Sequence, residues 1–244
     1  SGGSFGIKQA IMPMIILTCL ASRLSNKQVV WVEDRMEHLT AASSATGRLT
    51  KIKASIDDQG TIHALDYDQI DDVGAYPRAP EPASLYRMHG NLSGAYKVKN
   101  IRCRNRVILT NKTPSGLNRG FGGPQHYFAL ERLVHQIAVE LKLNVLDVIK
   151  INLLEKNQFP YKSPSGALLD SGNFQKLVKK VIESSTYKKI LKNKNDSVKN
   201  GKIYGIGYSA IIEPSISNMG YVTTALPHQD REKTGHKLSL IHIS

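Results

Sequence analysis

Arg119-Gly120-Phe121-Gly122-Gly123-Pro124-Gln125 stands between a basic strand pattern, Cys103 to Thr110, and a run with helical periodicity, Tyr127 to Leu141. In that run Leu130, Leu133, Val134, Ile137 and Leu141 recur at helical spacing, so one face packs inward. Pro124 sits where a first helical residue tolerates a missing N–H. The glycines ahead of it permit positive φ or a close approach of backbone to a ligand. The start of such a helix offers unpaired N–H groups at the positive end of its dipole, which suits phosphates or metal-bound oxygens. A second stretch of the same kind, Gly2-Gly3-Ser4-Phe5-Gly6, precedes the apolar run Ala10 to Leu20. Each loop carries a phenylalanine, so the pair favours a flat organic molecule held near an anionic cofactor.

Outward from these loops, the first predicts a helix over 7–25, offset or kinked by Pro13. Val29 to Val32 reads as a buried strand, followed by the charged run Glu33 to Glu37. Leu49 to Asp57 and Thr61 to Gln69 alternate on either side of Asp58-Gln59-Gly60, a hairpin signal. A proline-rich irregular stretch runs from Gly74 to about Asn91, and Tyr96 to Val98 resumes as strand. Val145 to Leu154 reads as a short helix, and Phe174 to Lys192 as a longer one with Leu177, Val178, Val181 and Ile182 inward. Asn193 to Gly201 reads as a polar linker and Ile203 to Ile212 as a new strand. Strands and helices without strict alternation imply an α+β fold with mixed sheets and packed helices. A boundary between 157 and 170 separates two expected domains.

The formal net charge is +13, yet nine lysines between Lys176 and Lys202 face only Glu183 and Asp196. That stretch has no arginine, and Phe174 and Tyr187 are its only nearby aromatics, so a solvated lysine-rich surface explains it better than nucleic-acid binding. The two cysteines, Cys19 and Cys103, make neither a zinc spacing nor a redox pair and are too few for an iron–sulfur cluster. The eight histidines are scattered, so no metal held by side chains is expected. The run Ala10 to Leu20 is far short of a membrane span. Taken singly, each glycine loop is compatible with a phosphate-binding module without redox chemistry, and the lysine stretch with a basic interaction protein.

The ordered combination is more specific. Asn111, Pro114, the Arg119 to Gln125 loop and the helix bearing Glu131 resemble the molybdenum hydroxylase family. The likeness is strongest to the large, molybdopterin-binding subunit of its xanthine dehydrogenase, aldehyde oxidase and aerobic carbon-monoxide dehydrogenase group. Gly2 to Lys8 resembles the family's Gly-Gly-Gly-Phe-Gly-Gly-Lys motif. Trp31, Glu33, Arg35 and Glu37 resemble its Trp-x-x-x-Arg-x-Glu segment, and Asp72-Val73-Gly74-Ala75-Tyr76 a further family phrase. The likeness runs from Ser1 to about Leu226.

The resemblance implies an oxidoreductase hydroxylating an aldehyde or heteroaromatic carbon with water. It implies molybdenum carried by a molybdopterin, in dinucleotide form, with Gly3, Phe5, Gly6, Arg119 and Gly120 against the cofactor. Phe121, Gln9 and Arg87 match substrate-contacting positions. Gln9 stands where purine-oxidising members carry glutamate, which argues against a xanthine-like substrate. Gly120 stands where carbon-monoxide enzymes carry a copper-binding cysteine, which argues against carbon monoxide. Iron–sulfur clusters and FAD are expected on partner subunits or further domains, in a cytoplasmic dimer of heterotrimers. Residues 1–157 are expected to be the later part of a first cofactor domain, 170–236 the start of a second, and 237–244 a non-native tail. The general-base glutamate is expected beyond this chain, so residues 1–244 alone are expected to be inactive.

Overall fold

The computed structural model describes residues 5–6, 11–45, 47–78, 87–120 and 122–212. Its first helix, α1, spans Met12–Ser25 with Pro13 in the opening turn, and Asn26 ends it in the left-handed region. Residues 7–10 of the expected helix lie outside the described set. The helix α2, Arg35–Ala41, arises from the charged run: Asp34 accepts the Glu37 N–H while Glu37 accepts the Asp34 N–H, a reciprocal cap. Val29 to Val32 makes no sheet with the described residues, and Val30, Trp31 and Val32 are exposed. Its apolar pattern satisfies only half of what a strand needs, the other half being a hydrogen-bonding partner.

The hairpin reading holds. Strands β1, Gly47–Ile56, and β2, Ile62–Asp72, pair antiparallel with Ile52 opposite Tyr67 and Arg48 opposite Asp71. The Asp57 carboxylate closes the turn by accepting the N–H groups of Gln59 and Thr61. Strand β3, Asn100–Ile108, runs parallel to β2 on its other edge, which makes β2 the centre of a mixed three-stranded sheet. Between them the chain turns through a short 3-10 segment, Arg87–Asn91, and Tyr96 makes a single bridge to Leu153 instead of opening a strand.

Helix α3, Gly123–Glu140, lies on the inner face of this sheet and buries Leu130, Val134 and Ile137 against a core that includes Leu65, Tyr67 and Val98. The Tyr67 hydroxyl donates to the Leu92 carbonyl at 2.8 Å inside that core. Beyond the apolar centre the inner face turns polar: Arg48 grips Asp71 through two bonds of 2.7 and 2.9 Å, and Asn105 donates to the same carboxylate. Helix α4, Val145–Asn152, is capped by Asn144. Its last residue staples three elements: Asn152 Oδ1 accepts the Ile62 N–H at 2.7 Å, and Nδ2 donates to the carbonyls of Gly60 and Val148.

A two-stranded hairpin, β4 Tyr161–Lys162 and β5 Leu168–Leu169, follows, with Ser163 and Ser165 both donating to the Gly90 carbonyl. The lysine-rich helix is two helices. Helix α5, Phe174–Glu183, stops at Ser184, whose hydroxyl accepts the Tyr187 N–H and so opens α6, Ser185–Lys199. The expected polar linker is therefore largely helix. Phe174 and Val178 pack on the core, whereas Leu177 and Val181 are at least half exposed. Residues 203–212 join no helix or sheet among the described residues, and their burial alternates residue by residue.

Replacing Asn152 by Ala leaves the buried Ile62 N–H and Gly60 carbonyl unpaired. The expected loss is about 3 kcal/mol, read from the denaturant midpoint of unfolding at unchanged slope. An unchanged midpoint would show that this amide carries no net stability.

Candidate functional site

Two loops distant in sequence meet at one place. Gly6 adopts φ +100°, and a Cβ there would stand 2.8 Å from the Leu117 carbonyl oxygen, so only glycine permits this approach. The Arg119 guanidinium then lies over the Phe5 ring, 4.5 Å from its centroid, worth roughly 0.5–1 kcal/mol for so exposed a pair. The approach is set up upstream. Ser115 N–H donates to the Val73 carbonyl and Gly116 N–H to that of Ser44, which lays the segment before Leu117 against the end of β2. The Asp72 carboxylate ties the intervening turn by accepting from Lys112, Thr110 and the Gly74 N–H, and those partners hold its pKa down at about 2.

The second loop turns through Gly120, at φ +85°, where a Cβ would meet the Pro124 ring at 2.9 Å. The Gly120 carbonyl accepts the Gly123 N–H, and Gly122 starts α3 from the left-handed region. Helix α3 has no side-chain cap and no acid in its first turn, so nothing on its own side chains offsets the positive end of its dipole. That loop, one side of α3 and the segment 206–211 line an open groove of about 970 Å³.

Inside the groove Glu131 is buried and fully engaged. Both its oxygens accept from the Tyr96 hydroxyl, at 2.9 and 3.0 Å, and Oε2 also accepts the Ala210 N–H at 2.9 Å. Burial raises its pKa from 4.5 to about 7, against the pull of those two donors. Nearby, His126 is wholly buried between the rings of Tyr67 and Tyr127, and burial pushes its pKa down to about 3, so the ring is neutral. Among the described residues, no group of three His, Cys, Asp or Glu side chains is arranged to hold a metal ion.

Residues 1–153 match the sequence pattern of the molybdopterin cofactor-binding domain. The chain belongs to that family. Similarity to individual relatives runs through most of the chain. It is 28% identical over 223 residues to the nicotine 6-hydroxylase large subunit of Paenarthrobacter nicotinovorans, covering 90% of this chain and 27% of that protein. It is 29% identical over 192 residues to the carbon monoxide dehydrogenase large chain of Hydrogenophaga pseudoflava, covering 76% and 24%. Among solved structures, quinoline 2-oxidoreductase from Pseudomonas putida 86 superposes with a TM-score of 0.75 at 28% identity, over 82% of this chain and 26% of that one. The chain thus spans about a quarter of the length of these relatives.

Of the residues singled out in this molybdopterin cofactor-binding domain, the structure brings together Phe5, Gly6, Arg119 and Gly120. Gly3, Gln9 and Phe121 lie outside the described residues, and Arg87 is described only as backbone opening the 3-10 segment. Sequence reasoning did not find the partners of Glu131. The signal it passed over was a polar stripe, Tyr127, Glu131 and His135, spaced by four beside the apolar face of α3.

The Glu131 carboxyl keeps in the fold a proton that the unfolded chain has released. Its contribution is therefore full below pH 4.5 and is lost as pH rises to about 7. His126 trends the other way, gaining stability from pH 3 to 6.5, so the readout is the difference between wild type and Glu131→Gln. That difference is expected to shift against the wild type by up to about 3 kcal/mol between pH 4.5 and 7, in denaturant titrations at each pH. A pH-independent difference would contradict the assignment.

Proposed function

We propose that this chain forms the cofactor-facing part of the catalytic large subunit of a molybdopterin-dependent oxidoreductase that hydroxylates an aldehyde or heteroaromatic carbon with water. The observation that carries the reading is the meeting of Phe5-Gly6 with Leu117 to Gly120, two bare-backbone approaches joined by the Arg119 contact at the mouth of an uncapped helix. The residues fit the group. Gly6 and Gly120 let their loops close on Leu117 and Pro124, where a Cβ would clash, and the unoffset end of α3 favours the negative charge of phosphate or dithiolene. When bound, the cofactor supplies a two-electron oxidation with water as oxygen source.

Around it, Gly3, Phe5, Gly6, Arg119 and Gly120 are proposed to hold the cofactor, with Phe121, Gln9 and Arg87 toward the substrate. Glu131 is not assigned as the catalytic base despite a pKa of about 7, because both its oxygens are taken up by Tyr96 and Ala210. The two domains proposed are 1–157 and 170–236. Iron–sulfur and FAD subunits are proposed as electron acceptors in a dimer of heterotrimers. Support comes from one relative named as a large subunit and another named as the gamma subunit of a dehydrogenase complex. A cytoplasmic location is proposed with them. Among the described residues no helix is long and apolar enough to cross a membrane.

The test is metal and pterin analysis of the full-length subunit isolated with its partners, together with dye reduction on aldehydes and N-heteroaromatics. Gly6→Ala and Gly120→Ala each carry roughly 1–2 kcal/mol of left-handed strain besides the clash. Each is expected to lower molybdenum content about tenfold while the far-ultraviolet circular dichroism is retained. A wild-type subunit free of molybdenum but carrying a nucleotide would replace this reading with that of a phosphate-binding module.

A further inference from the structure

Residues 203–212 present a problem of backbone chemistry. Its burial alternates position by position, as in an extended chain, and it has no strand partner among the described residues, so its N–H and C=O groups need bonds from elsewhere. Helix α3 supplies them from three side chains. Tyr127 donates its hydroxyl to the Ile212 carbonyl at 2.6 Å, Glu131 accepts the Ala210 N–H at 2.9 Å, and His135 Nε2 lies 2.7 Å from the Tyr208 carbonyl. The same nitrogen is 3.3 Å from the Tyr208 N–H, and the shorter contact identifies it as the donor.

The spacing is what makes the match. Four helical residues advance about 6 Å, and two extended residues advance about 6.6 Å. The stripe 127, 131, 135 and the positions 212, 210, 208 therefore stay in step, running in opposite directions. In an extended chain alternate residues turn their backbone groups to the same side, so one row of helix side chains does the work of a neighbouring strand. Each of these bonds is to backbone, and Tyr208, Ala210 and Ile212 add packing against the core, with the Tyr208 ring stacked on His135, whereas the side chains at the alternate positions are exposed. Those side chains, Ser209 and Ile211 among them, are left to line the groove beside Arg119 and Gly120.

We propose that Tyr127, Glu131 and His135 are positioning residues that grip the backbone of 208–212 and thereby set the width of the groove, and so the bulk of the molecule it admits. The grip is independent of the cofactor; its bearing on substrate bulk rests on the oxidoreductase reading above.

The experiment is hydrogen–deuterium exchange on the full-length subunit in its complex, followed on peptides covering 203–212, with peptides from β2 as the control for folding. Glu131→Ala is expected to speed exchange at 208–212 by about tenfold or more without changing β2, and Glu131→Gln, which keeps an acceptor for Ala210, to stay within about threefold of wild type. Tyr127→Phe removes one hydroxyl with little change of packing and gives a smaller acceleration, which serves if Glu131→Ala fails to fold. Unchanged exchange in both Tyr127→Phe and Glu131→Ala, or a Gln variant as fast as Ala, overturns the grip. With turnover in hand, Glu131→Ala is expected to change the KM ratio of a fused-ring substrate to a small aldehyde by about threefold or more, with Gln restoring it. Faster exchange with an unchanged ratio overturns the control of substrate bulk while leaving the grip, and loss of turnover in the wild type would overturn the oxidoreductase reading alone.

Discussion

Everything in this domain depends on how α3 is seated on the inner face of the sheet. The helix has one apolar stripe, and the sheet has one stretch where Leu65 and Tyr67 of β2 are flanked by Ile52 of β1 and Ile101 of β3. Burying one against the other, at about 25 cal/mol per Å² of apolar surface, leaves a single low-energy position for the helix. That position fixes where Gly122 and the positive end of the dipole fall. It also turns the polar stripe of Tyr127, Glu131 and His135 outward, toward the segment that returns as residues 208–212. One amphipathic helix thus serves a core, a ligand-facing terminus and a backbone clamp.

The end of the sheet near the loops is built differently from its centre. Arg48 and Asp71 are almost fully buried, and a charge pair in that position contributes little net stability against an apolar equivalent. Its value is directional. The two-bond geometry, with Asn105 on the same carboxylate, locks β1, β2 and β3 in one register at the point where the chain leaves for Gly74 and Leu117. A slip of one residue there would move Leu117 away from Gly6 and separate the two loops.

The sequence was most readable where the deciding interactions are local. The β1–β2 hairpin, the start of α3 at Pro124 and the short helix α4 follow from turn residues, caps and periodicity within a few positions. Two local signals were present and missed: the Asp34–Glu37 cap that makes α2, and Ser184, which divides one expected helix into two. Val29 to Val32 and Ile203 to Ile212 show where local reading fails. Both are rich in apolar residues, but whether such a run joins a sheet depends on a partner that its own residues do not name. The candidate site divides the same way. Glycines at positions 6 and 120 announced close approach, whereas the stacking of Arg119 on Phe5 and the partners of Glu131 had no local trace.

By itself the sequence determined the α+β class, the two glycine loops and the helix that one of them opens. These rest on propensities and periodicities that act over one or two turns of chain. Only the tertiary structure decided that β3 lies parallel to β2, that the loops share one place, and that Glu131 accepts the Ala210 N–H. Those outcomes depend on contacts between residues tens of positions apart. Such contacts are chosen by which buried surfaces fit and which backbone groups find partners, and neither is written in any single stretch.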